Sequence, residues 1–166
     1  FLLVVWLWLG GLGTRRSRDP PHLTQEFAET PEAAYERLRL SQARGGETSD
    51  SLSLLPPFYG EWRVSQGFNG PHTHRAPWQH ALDFVIVEQG RSPQGSGLSR
   101  NDYFSFGAPV LAPVSGQVAA ARDDLPDVAP GEPDTANNWG NHLLLRVPTG
   151  CFVLLAHLKQ GSLRVS

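Results

Sequence analysis

The sequence predicts a mostly β fold: an antiparallel, barrel-like sheet occupying residues 58–166, preceded by an apolar N-terminal segment and a short helix. Three observations lead there. Short apolar runs, several of them rich in β-branched residues, recur from Phe58 onward. Breaks rich in Gly, Pro, Asn or Ser bound each run. Hydrophobic residues make up 40% of the chain against 18% charged, which supplies a packed core and argues against global disorder.

In chain order, Phe1 to Leu9 is wholly apolar and continues through Gly10, Gly11, Leu12 and Gly13. Thirteen residues are fewer than the ~20 that cross a bilayer. The run does not alternate and carries two Trp near its end, so residues 1–13 are read as the end of a transmembrane or signal segment in preference to a soluble strand. Arg15, Arg16 and Arg18 follow directly, a flank that the positive-inside rule leaves in the cytoplasm. Residues 14–57 read as a juxtamembrane helix and linker. Thr30 can cap and Pro31 fits the first helical turn. Ala34, Tyr35 and Leu38 share a face, and Gly45-Gly46 stops the helix.

Beyond Phe58 the expected strands are Trp62 to Gln66, His80 to Val87, a hairpin over Pro109 to Ala121 turning at Ser115-Gly116, His142 to Val147, and Cys151 to Leu158 after the turn Pro148-Thr149-Gly150. The single cysteine, Cys151, lies in an apolar run and is read as a small buried hydrophobe; no intrachain disulfide can form. A formal net charge of -2 offers no basic excess for nucleic acid.

Three of the six histidines, His72, His74 and His80, fall shortly before Asp83. Neutral imidazole and carboxylate are the ligands of catalytic zinc. Parity helps choose among them. Residues an odd number apart in a regular strand face opposite sides, so His80, three before Asp83, points away unless a bulge intervenes. His74 lies in the loop ahead of the strand, where no such rule applies, and is the favoured partner of Asp83.

The wording of the segment carries more. Gln66-Gly67-Phe68-Asn69-Gly70 leads to Thr73-His74 and then Trp78-Gln79-His80-Ala81-Leu82-Asp83-Phe84. Phe106-Gly107-Ala108-Pro109-Val110 continues to Ala112-Pro113-Val114-Ser115-Gly116-Gln117-Val118. Asn138-Trp139-Gly140-Asn141-His142 and Leu155-Ala156-His157-Leu158 complete the series. In order and spacing these blocks resemble the lysostaphin-type (LytM-like) zinc endopeptidases, which cut peptide cross-links in bacterial cell walls.

The resemblance covers residues 58–166. It implies the LytM fold, with its duplicated hybrid motif, and a Zn2+ ion held in part by His74 and Asp83. It also implies a catalytic role for His157, beside the metal without binding it. The substrate implied is peptidoglycan peptide, and the location is the bacterial cell envelope, membrane-anchored or exported. The chain departs from the family at Gln79, where the usual spacing places the histidine ligand. It also has no His-x-His block after His157, so the domain is expected to be truncated at both ends and inactive as it stands. The alternative is a degenerate, non-catalytic LytM-like module that binds the wall or regulates another hydrolase. Ala112 to Val118 also resembles a biotinyl or lipoyl carrier hairpin, but the only lysine, Lys159, stands outside the context that such carriers need.

Overall fold

In a computed structural model, which describes residues 3–8 and 52–165, the apolar runs pair into one antiparallel six-stranded sheet. The strands are β1 (Leu3–Trp8), β2 (Arg63–Gln66), β3 (Ala81–Val85), β4 (Gln117–Arg122), β5 (Asn141–Arg146) and β6 (Phe152–Leu158). Their spatial order is β2-β3-β1-β6-β5-β4. The sheet is open, so the expected barrel-like closure is corrected: β2 and β4 each pair on one side only among the described residues. The helix expected after Thr30 lies outside the described residues.

Period-two alternation sorts the side chains into two faces. Phe84, Leu143, Leu145, Val153 and Leu155 belong to the main core cluster, with Val147, Cys151 and Leu158. Ala81, Asp83, Leu154 and Ala156 occupy the other face and line a pocket. Burial on both faces explains why β6 reads as an unbroken apolar run from Phe152 to Ala156, before His157.

Three elements differ from the sequence reading. Leu3–Trp8, expected as the end of a membrane or signal segment, is a strand between β3 and β6. Its Val- and Leu-rich run suits a strand with a partner on each side. No helix among the described residues is long and apolar enough to cross a membrane. The hairpin expected around Ser115-Gly116 does not form: the chain before Gly116 is irregular, and β4 pairs with β5. A side chain at Gly116 would meet the Arg146 carbonyl oxygen at 2.7 Å, so close backbone approach is the reason for glycine there. Finally, the end of the expected linker joins the core. Leu55 is buried, and its amide donates to the Pro113 carbonyl at 2.9 Å.

Candidate metal and catalytic site

Two β-bulges shape this face of the sheet. Along β2, Val64 opposes Phe84 but Gln66, not Ser65, opposes Asp83. The extra residue swings the Gln66 side chain onto Asp83. Along β6, Leu155 opposes Leu143 while Leu158 opposes Asn141, so one residue is inserted near Ala156-His157. His157 takes up the insertion with a φ of 59°, the left-handed region. Strict alternation would set His157 on the core face with Leu155; the bulge instead brings it to the pocket beside Ala156. Its amide donates to the Trp139 carbonyl at 3.0 Å, which ties the β4–β5 loop to the same spot.

The pocket measures about 350 Å³. His74, Asp83 and His157 meet in it, with Trp78, Trp139 and Asn138 on its walls. His74 and Asp83 are buried, 3% and 4% exposed. His74 Nε2 lies 2.9 Å from Asp83 Oδ1, and His74 Nδ1 lies 2.9 Å from the Gly67 carbonyl oxygen. That carbonyl can only accept, so Nδ1 carries a hydrogen, and in a neutral ring Nε2 is left with a lone pair. A lone pair and a carboxylate oxygen thus face each other at hydrogen-bond distance. Such an arrangement needs a positive charge between them, either a proton or a metal ion. The second oxygen, Asp83 Oδ2, accepts from Gln66 Nε2 at 3.0 Å.

Burial raises the pKa of Asp83 above its usual 3.8, opposed by His74, Gln66 and His157. Desolvation lowers that of His157 below 6.5, opposed by Asp83. Protein atoms crowd the His157 ring although the residue keeps an exposed surface, and that exposure leaves the ring within reach of solvent or substrate.

His80 stays outside this pocket; its ring meets Phe68 edge-on, with centroids 6.2 Å apart. His142 sits behind the wall, against Trp139 at 5.2 Å, with Nδ1 donating to the Gly140 carbonyl at 2.8 Å. Asn137 and Asn141 hold loops, Asn137 through Asp134 and Arg122, Asn141 through both backbone groups of Leu125. A larger groove of about 870 Å³ opens on the far side of His157, floored by Trp62, Leu143 and Leu155. Among the described residues it holds no second pair of converging ligands, so the smaller pocket is the candidate site.

The donor set suits zinc in kind: an imidazole, a carboxylate, and a ring N–H fixed on a carbonyl, the usual outer partner of a ligating histidine. In number it supplies two ligands; among the described residues no group of three or more His, Cys, Asp or Glu gathers to hold a metal ion. Sequence reasoning passed over Gln66 and Trp78 as individual residues, because nothing in periodicity marks them. The bulge that aims Gln66 is visible only once β2 and β3 are paired. Compared with protein-family models, curated proteins and solved structures, the chain matches none of them.

Proposed function

We propose that this chain carries the metal-proximal part of a zinc metalloendopeptidase domain that acts on peptidoglycan peptide cross-links in the bacterial cell envelope. His74 and Asp83 are its metal ligands in this reading, and His157 is the catalytic group beside them. The observation that carries the reading is the His74 Nε2–Asp83 Oδ1 contact at 2.9 Å, with Nδ1 already committed to Gly67. The ordered sequence blocks and the LytM-type fold that they imply support it.

Zinc, when bound, supplies Lewis acidity towards a peptide carbonyl and its attacking water. The chain's own residues do the rest. Gly67 fixes the His74 tautomer. His157, its pKa lowered by desolvation, is neutral at pH 7 and can accept or donate a proton at the pocket mouth. Trp78 and Trp139, edge to face at 6.0 Å, narrow the entry and reduce its hydration.

A catalytic zinc takes three protein ligands, and the described residues bring two together. That count favours a second reading, the non-catalytic LytM-like module that binds the wall or regulates a hydrolase. Metal analysis of wild type, His74→Ala and His80→Ala tests the site. Wild type and His80→Ala are expected to retain zinc, and His74→Ala to lose it. Loss in His80→Ala alone overturns the ligand choice, and absence of zinc from all three overturns the metalloenzyme reading. Release of peptides from purified peptidoglycan then separates the enzyme from a module that only binds.

A further inference from the structure

Gln66 spends its whole hydrogen-bonding capacity around the His74–Asp83 pair. Its Nε2 donates to Asp83 Oδ2 at 3.0 Å and to Thr73 Oγ1 at 2.7 Å. Its Oε1 accepts from the amides of His72 at 3.1 Å and Thr73 at 3.3 Å. Two donors and two acceptors are all that a glutamine side chain offers. The bonds reach both the carboxylate on β3 and the turn that delivers His74, and so join the two pieces of chain that also meet in the His74–Asp83 contact.

Two independent features show that the position is built. The β2 bulge replaces Ser65 by Gln66 opposite Asp83. Gly70 leaves room for the side chain: a Cβ there would fall 2.3 Å from Gln66 Cγ and 2.8 Å from Cδ. Those are inner atoms of a side chain pinned at its far end, so they cannot easily give way.

We infer that Gln66 is the positioning residue of the ion site, occupying Asp83 Oδ2 and clamping the His72–Thr73 turn so that Asp83 Oδ1 and His74 Nε2 point at one ion. This rests on the proposed reading of the pair as metal ligands. With Oδ2 engaged, the carboxylate binds through one oxygen only. Without Gln66, Asp83 is free to rotate and chelate through both oxygens, and the turn carrying His74 loosens. A neutral amide also does what a second carboxylate could not, because it orients Asp83 without adding negative charge that would trap an ion too tightly or repel the ligand.

Titration of the protein with Co2+, followed by visible absorption, tests this with four proteins: wild type, Gln66→Met, Gly70→Ala and Asp83→Ala. Gln66→Met keeps side-chain length and removes every hydrogen bond, while Gly70→Ala keeps the amide but displaces it. Both are expected to weaken Co2+ binding about 10- to 100-fold, the usual loss when an outer partner of a ligand is removed. Both should also change the ligand-field bands, a signature that loosening elsewhere in the fold would not produce. Thermal melts identify variants that fail to fold, and either folded variant suffices. Wild-type affinity and spectrum in a folded Gln66→Met or Gly70→Ala overturn the inference about Gln66 and leave the metal reading intact. Equal Co2+ binding by wild type and Asp83→Ala overturns the metal reading itself.

Discussion

At the scale of single residues, the His74–Asp83 pair carries a conflict that either a proton or a metal ion relieves. His74 donates through Nδ1 to Gly67, so in a neutral ring its other nitrogen and Asp83 Oδ1 compete as acceptors 2.9 Å apart. Asn at position 83 would settle the conflict without an ion. Its amide nitrogen would donate to His74 Nε2, and its oxygen would still accept from Gln66 Nε2. Asp83→Asn should therefore abolish metal binding yet stabilise the metal-free protein by about 1 kcal/mol, the net worth of one added hydrogen bond. The pH dependence follows from the raised pKa of Asp83. A carboxyl whose folded pKa exceeds its unfolded 3.8 holds its proton longer in the folded state. Its penalty is thus absent below 3.8 and grows as pH rises through the folded value. The advantage of Asp83→Asn should accordingly be absent below about pH 4 and grow as the pH rises above it. Thermal melts in chelator at pH 3.5 and pH 7 check it; a lower Tm for Asp83→Asn at pH 7 would mean that an imidazolium–carboxylate pair already satisfies the site. The sequence singled out His74 from its loop position, its Thr73-His74 context and the odd spacing of His80; the structure starts β3 at Ala81, so His80 lies in the turn before the strand and parity does not itself place it.

At the scale of strands, parity also shows where such reasoning stops. Applied to β6 it would place His157 beside Leu155 in the core, but the inserted residue and a φ of 59° turn it into the pocket. No pattern of residue types announces a bulge built on histidine instead of glycine. The Ser115-Gly116 pair misled for a related reason, because it looks like a turn but serves the close approach of the Arg146 carbonyl. The left-handed conformation of a residue with a Cβ costs about 1–2 kcal/mol, and the site bears that cost to aim an imidazole. Glycine in an ordinary strand is about 0.5–1 kcal/mol less stable than alanine. At position 157 the order should reverse, with His157→Gly more stable than His157→Ala by about 1 kcal/mol. Urea unfolding of the two variants measures this directly, and an alanine variant at least as stable as the glycine one would remove the claim of stored strain.

At the scale of the whole sheet, β1 is the strand on which the site's two halves depend. The ladder places β3, which bears Asp83, on one side of β1, and β6, which bears His157, on the other. Val4 is the register partner of both Asp83 and Ala156, and Val5 of both Leu82 and Leu155. Composition alone could not have assigned this role. An apolar run without alternation is what a membrane segment and a strand paired on both sides have in common, and only the partners distinguish them. Proline at position 5 separates the two. It has no backbone N–H and is not tolerated in the middle of a sheet. In a central β1, Val5→Pro loses at least about 1 kcal/mol with the ladder bond and also disturbs the neighbouring pairs on both sides. Because 1 kcal/mol shifts Tm by about 2–4 °C in a chain of this size, a drop of several degrees is expected. Weaker Co2+ binding should accompany it, since Asp83 lies one register step from the break. If residues 1–13 instead act only as a membrane or signal segment, the same substitution leaves the Tm and the ion affinity of the remaining domain unchanged. Measured together, the two quantities decide whether the N-terminal run belongs to the site or merely precedes it.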